Sequence, residues 1–276
     1  MFIKIIAILL LQLALTSAAP VAADYSAQLR GGLSFCGEAV DLRQPDVYQA
    51  VDQNLVLLAE AKSRVWLSLK RSTRYLPLVE KELQKAGAPD DLKYIPLVIT
   101  SFAPDYSSGG RGIWRLREKE AKALGLRVDK EVDERLDPVA STVAAIRHLK
   151  LLKNSYNSWT TAMAAHLIGV ETMQQLISEA GGESNYYKLY LPDGLDNLPS
   201  MVFAGKLIFQ KPGEFGYNFS AGRGWPPFSG KRETVKEATD ARTLAAKYGK
   251  PYKQFRDANP HLLSGKVPAG ISINIP

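Results

Sequence analysis

The residues able to act on a ligand gather in one stretch of the 276-residue chain. Tyr94-Ile95-Pro96-Leu97-Val98-Ile99-Thr100-Ser101-Phe102-Ala103-Pro104 runs into a Ser/Gly-rich loop over 105–112 and then into Gly112-Ile113-Trp114-Arg115. Thr100, Ser101, Tyr106, Trp114 and Arg115 supply hydroxyls, aromatic faces and a guanidinium, the groups with which proteins grip a polar ligand. Core packing competes for Trp114, and a neighbouring Asp competes with a ligand carboxylate for Arg115. Proton transfer needs a titratable group within roughly 2.6–3.2 Å of the reacting atom. Asp105, Glu171 and His166 are the candidates. A solvated carboxylate, or a packed and hydrogen-bonded imidazole, is the commoner fate of such residues. His148 and His261 form no set with metal-ligand spacing, so neither a metal nor another cofactor is expected.

Helices must carry these residues. From Pro45 to about Lys70, Val47, Val51, Leu55, Leu58, Val65 and Leu69 recur at three- and four-residue spacing, which predicts helix. Leu76, Val79 and Leu83 keep the rhythm over 72–85, and Gly87 stops it. Pro89-Asp90-Asp91 opens the next helix, with carboxylates at the positive end of its dipole, and this helix is expected to run to about Ser101. Further helices are expected over 117–124, 138–152, 158–167, 171–180 and 199–209. No run in the first 210 residues alternates over strand length, so this part reads as all-α. Gly, Pro and aromatic residues then concentrate over 211–230, including Gly222-Arg223-Gly224-Trp225-Pro226-Pro227. Either a linker or an irregular packing arm fits that composition. Residues 231–276 read as a compact strand–helix–helix–strand unit: Glu233-Thr234-Val235, helices over 240–249 and 251–258, and alternating Ile271, Ile273 and Ile275.

Hydrophobic content of 46% and charged content of 23% suit a globular chain with one good-sized core and a smaller unit. Lys4, an apolar run over 5–15 and small residues up to Ala23 read as a secretory signal peptide over 1–23, cleaved after Ala23 or, second, after Ala19. The run is short of the ~20 residues of a membrane span; an uncleaved anchor is the alternative. The single Cys36 makes no internal disulfide and reads as a small buried hydrophobe. Lys4 is the one charged residue before Asp24, so losing the segment takes the formal charge from +7 to +6. That mild excess suits an anionic envelope polymer or a membrane surface. Nucleic acid is not an expected partner behind an export signal.

Several motifs in one order carry a family resemblance. They are Arg71-Ser72-Thr73-Arg74-Tyr75-Leu76-Pro77, Gly87-Ala88-Pro89-Asp90-Asp91-Leu92-Lys93-Tyr94-Ile95-Pro96-Leu97-Val98, Gly112-Ile113-Trp114 and Val132-Asp133-Glu134-Arg135-Leu136-Asp137-Pro138. Ser141-Thr142-Val143-Ala144-Ala145, Trp159 and Ala164-Ala165 follow. Together they resemble the membrane-bound lytic transglycosylases of the MltD type, over roughly 45–276. The resemblance implies a mainly α fold: a lysozyme-like helical domain over 24–210, the 211–230 segment, and a small α+β module over 231–276. That module resembles LysM, best at Phe255-Arg256-Asp257-Ala258-Asn259-Pro260-His261-Leu262-Leu263. Its first loop, Glu237-Ala238-Thr239-Asp240-Ala241, departs from the Gly-Asp-Thr pattern of strong glycan binders. Peptidoglycan glycan strands are the implied partner and the periplasm the implied location.

The departures fall where the chemistry should be. After Ile-Pro-Leu-Val the family carries Glu-Ser, and that Glu is its general acid and base; this chain has Ile99-Thr100. Arg115 replaces the family's groove Gln, and His166-Leu167 replaces its Tyr-Asn pair. Its later Glu-Thr-x-x-Tyr-Val-Pro motif has become Asp193-Gly194-Leu195-Asp196-Asn197-Leu198-Pro199. A glycosidic bond breaks when a proton reaches the leaving oxygen, help worth ~10²–10⁴-fold, and isoleucine has no proton to give. Three readings follow. The first is an exported, catalytically inactive homologue that binds peptidoglycan through Thr100, Ser101, Tyr106, Trp114, Arg115, His166 and the module, and locates an envelope protein. The second is a divergent lytic transglycosylase, cutting the MurNAc–GlcNAc bond, whose acid has moved to Asp105, Glu171 or His166. The third is a protein-interaction scaffold with its groove closed by Ile99 and Leu167.

Overall fold

The computed structural model of the chain describes residues 24–103, 110–192, 195 and 197–276. The expected signal segment, and Asp105 and Tyr106 of the Ser/Gly loop, lie outside them.

Two long helices begin the helical part. α1 (Pro45–Glu60) has proline in its first turn and buries Val47, Val51, Leu55 and Leu58. α2 (Lys62–Lys85) follows after Ala61, so the break expected between Lys70 and Ser72 falls earlier. No glycine or proline marks that break; Ala61 simply leaves helical geometry, at ψ 60°. Pro77 lies inside α2. It lacks an N–H, so the carbonyl of Thr73 loses its helical donor.

The helix expected over 89–101 is two pieces, a 3-10 turn at Asp90–Lys93 and α3 (Tyr94–Ile99). Every residue of α3 is buried, and Pro96 sits in its first turn, where no N–H is needed. α4 (Glu118–Ala123), α5 (Pro138–Tyr156), α6 (Trp159–Ile168), α7 (Val170–Glu179) and α8 (Asn197–Gln210) follow. Asp137 caps α5 by accepting from Val139 N–H and Ala140 N–H. Nine residues of α6, Thr160 to Ile168, are buried, which makes it the central helix that the others surround.

One small strand pair interrupts the all-α expectation for the first 210 residues. β1 (Ser34–Phe35) and β2 (Glu38–Ala39) form a hairpin whose turn residues, Cys36 and Gly37, are both left-handed. Alternation cannot be read from strands of two residues. Cys36 is half-buried in that turn and packs against the main core.

Residues 211–230 pack along α2. Trp225 N–H donates to the Lys70 carbonyl at 3.1 Å and Phe228 N–H to the Arg74 carbonyl at 2.9 Å. Trp66 meets Tyr217 and Phe219, and Tyr75 stacks on Phe228. Gly224 is required there, because a Cβ would run into the Thr73 side chain.

The C-terminal unit pairs β3 (Lys231–Thr234) antiparallel with β6 (Ser272–Ile275), Lys231 opposite Ile275. β4 (Thr239–Asp240) pairs with β5 (Lys266–Val267), a ladder too short to announce itself in sequence. α9 (Ala241–Lys247) and α10 (Tyr252–Ala258) complete the unit. Its core of Val235, Leu244, Phe255, Leu262, Val267, Ile271 and Ile273 also takes in Val132 from the helical part. Backbone bonds extend the contact, from Asp133 N–H to His261 O and from Leu263 N–H to Glu131 O, both at 2.9 Å. Arg232 closes it with two bonds to the buried Asp137 carboxylate, at 2.9 and 2.8 Å.

Candidate functional site

α3 ends at Ile99, and the chain then makes a strained reversal. Ser101 and Phe102 both have φ 53°, and Arg115, in the facing turn, has φ 53° as well. Non-glycine residues rarely take such values, and clusters of them mark places that the surrounding packing over-determines. Here the surroundings are visible. The Pro96 carbonyl accepts from Phe102 N–H at 3.1 Å and from the Thr100 hydroxyl at 2.8 Å. Arg64 and Arg71, both on α2, donate to the carbonyls of Val98 (2.8 Å) and Ser101 (3.4 Å). Cations at a helix C-terminus satisfy carbonyls that the helix itself leaves open.

The facing turn is a tight hairpin, closed by paired backbone bonds between Arg111 and Leu116 at 3.0 and 3.1 Å. Gly112 has φ +73°, and a Cβ there would run into the Arg135 carbonyl, so only glycine fits. The Thr100 hydroxyl lies 2.7 Å from the Ile113 carbonyl and ties this turn to the end of α3. Trp114 points inward, fully buried, and its indole N–H donates to the Thr142 hydroxyl of α5 at 2.8 Å.

His166 of α6 completes the arrangement. Its Nε2 lies 3.1 Å from the Trp114 carbonyl, and its Nδ1 lies 3.3 Å from Nδ1 of His148 on α5. A carbonyl only accepts, so Nε2 of His166 carries the hydrogen and its Nδ1 accepts from His148. Both imidazoles are then neutral. Burial pushes the His166 pKa down to about 3, with the neighbouring His148 adding to the fall, and burial lowers His148 as well. Arg117 donates to the carbonyls of His166 (3.2 Å) and Leu167 (2.9 Å), closing the end of α6. Among the described residues no third histidine, cysteine or carboxylate joins the imidazole pair to make a metal-ligand set.

The residues singled out from sequence therefore divide. Thr100, Trp114 and His166 come together, but inside the protein and bonded to one another's neighbours. Ser101 is buried, and Arg115, on the facing turn, is half-buried. Ile99 and Leu167 are buried apolar residues, 5% and 2% exposed. Glu171 is elsewhere, on the surface of α7, and pairs with Lys119. That hydrogen bond holds its carboxyl below the usual range, so it is ionised and has no proton to donate at neutral pH. Sequence reasoning gave no site role to Arg64, Arg71, Arg117, Thr142 or His148, the groups that hold the site together; Arg71 and Thr142 entered only as parts of motifs and His148 only as an unpaired histidine. Arg64 and Arg71 recur seven residues apart, the same face two turns on, which is the one signal available.

Two clefts lie among other described residues. A cleft of about 410 Å³ on the C-terminal unit is walled by β3, residues 235–239 and α9, with Thr234, Glu237, Thr243, Lys247 and Tyr248 among its groups. Another, of about 880 Å³, lies between residues 29–43, 156–158 and 183–187.

A mainly helical domain built around a buried central helix, with a short apolar helix ending against a glycine turn, has the lysozyme-like architecture. Residues 79–188 match the family model of the transglycosylase SLT domain. The chain is 29% identical over 128 residues to membrane-bound lytic murein transglycosylase D of Escherichia coli (strain K12), covering 44% of this chain and 28% of that protein. It is 28% identical over 123 residues to a protein named for tributyltin chloride resistance from Alteromonas sp. (strain M-1), covering 44% of this chain and 59% of that one. The chain thus spans less than two thirds of the length of either relative.

Proposed function

We propose that this protein is exported to the periplasm, binds peptidoglycan glycan strands and does not cut them. The observation that carries this reading is the filling of the site at the end of α3. Ile99, itself buried, occupies the place where the resemblance puts the acid, and Thr100, Trp114, His148 and His166 are engaged in bonds of their own inside the protein. Of the substitute acids, Glu171 is a surface carboxylate in an ion pair and His166 is held neutral. A relative named as a murein transglycosylase supports the wall as the partner. The cleft beside β3 and α9 is the glycan-binding surface in this reading, with Tyr248 and the Thr234 and Thr243 hydroxyls as its contacts.

Incubation of the purified protein with isolated sacculi tests both halves. The expected result is co-sedimentation without release of soluble anhydro-muropeptides. Release above a heat-denatured control would reinstate an enzyme and direct attention to Asp105.

The burial of Ile99 and Leu167 also favours a second reading, a protein-interaction scaffold whose former groove is closed. Failure to sediment with sacculi selects it.

A further inference from the structure

We propose that Arg71, Arg74 and Trp225 form a contact surface for the peptide stems of peptidoglycan, taking their carboxylates rather than the sugars. This rests on the wall-binding reading above. The packing arm brings Trp225 back across α2, and its position there is fixed from several sides. Its N–H donates to the Lys70 carbonyl at 3.1 Å, its carbonyl accepts from the Thr73 hydroxyl at 2.8 Å, and Arg74 Nε donates to the Pro226 carbonyl at 3.1 Å. The Arg71 and Arg74 guanidinium carbons then lie 5.6 and 5.4 Å from the indole centroid. Both distances are within cation–π range, which orients the planar forks.

Among the described residues the charges on this surface have no counterion. Arg111, Arg117, Arg127, Arg135 and Arg232 each pair with a carboxylate. Arg71 and Arg74 bond instead to the carbonyls of Ser101 and Pro226, and among the described residues neither has a carboxylate partner. Each guanidinium has five N–H donors, so most of this capacity is unspent. Two like charges on adjacent turns of one helix repel, and a bidentate carboxylate relieves that repulsion. Arg71 also reaches Ser101, two residues past Ile99, so the surface adjoins the end of α3.

The test measures binding of the purified protein to immobilised glycan strands, with stems intact and with stems removed by an amidase. The wild type is expected to bind the stem-bearing strands roughly tenfold more tightly. Arg71→Gln/Arg74→Gln is expected to erase that difference while leaving binding to bare strands unchanged, and Arg71→Lys/Arg74→Lys to keep part of it. Because Arg71 also braces the end of α3, Arg74→Gln and Trp225→Leu serve as single variants that leave Ser101 untouched, each expected to lose part of the preference. Equal wild-type binding to both strands overturns the inference and leaves the wall-binding reading standing. Binding to neither removes that reading and the inference with it. Arginine-dependent binding to phosphatidylglycerol vesicles without any stem preference assigns the surface to a membrane and overturns the inference as well.

Discussion

His166 and His148 show how one pair of side chains closes the site. Each ring nitrogen facing the interior is committed, one donating to a carbonyl and one accepting from a neighbour. A proton added to His166 would place two N–H groups face to face. Its pKa is therefore depressed in the folded state, to about 3, against ~6.5 unfolded. The unfolded chain binds more protons below pH 6.5, so stability is full above that pH and falls as pH drops from there toward 3. Between pH 7 and pH 5 the wild type is expected to lose about 2 kcal/mol more than His166→Gln, measured by urea denaturation at both values. An equal loss would show that the imidazole is not the titrating group. The histidines were readable in sequence only as isolated residues, because 18 residues separate the two and no helical spacing links them. Ile99 was more legible, since an apolar residue at the end of an apolar run announces burial.

At the scale of elements, Asp137 does two jobs. It caps α5 and receives both bonds from Arg232, while its own side chain is 1% exposed. Removing the guanidinium leaves a buried carboxylate short of a partner, so Arg232→Met is expected to cost about 3 kcal/mol. Asp137→Asn loses the cap charge and the ion pair together. In the double variant the two costs are expected to overlap by roughly 1–3 kcal/mol in a denaturation cycle; strict additivity would mean that the pair contributes nothing. The helices themselves were largely legible, since their apolar spacing and their glycine and proline stops were explicit. What was not legible depended on partners far away. The Ala61 break has no local cause, and β4 and β5 are too short to alternate; the split before α3, by contrast, has a local cause in Pro96, whose missing N–H cannot serve the Leu92 carbonyl.

Across the whole molecule the C-terminal unit and the helical part share a core through Val132, which is fully buried among residues of the former. Burying such a side chain contributes about 1.5–3 kcal/mol. Together with the backbone bonds at Asp133 and Leu263, it is expected to make thermal unfolding a single transition. Val132→Asp, a carboxylate in that core, is expected to split the transition and to raise amide hydrogen exchange in residues 231–276 first. Unchanged exchange in that segment would mean that the unit stands without the contact.

Pro77 links this architecture to the order in which the chain is made. A proline within α2 weakens the helix near Thr73 and Arg74, and it is here that Trp225 and Phe228 attach. The brace lies 152 residues downstream of Thr73, so a nascent chain carries the helix without its splint until those residues have been added. Long-range contacts of this kind form late. The longest helix among the described residues is thus made well before the arm that secures it.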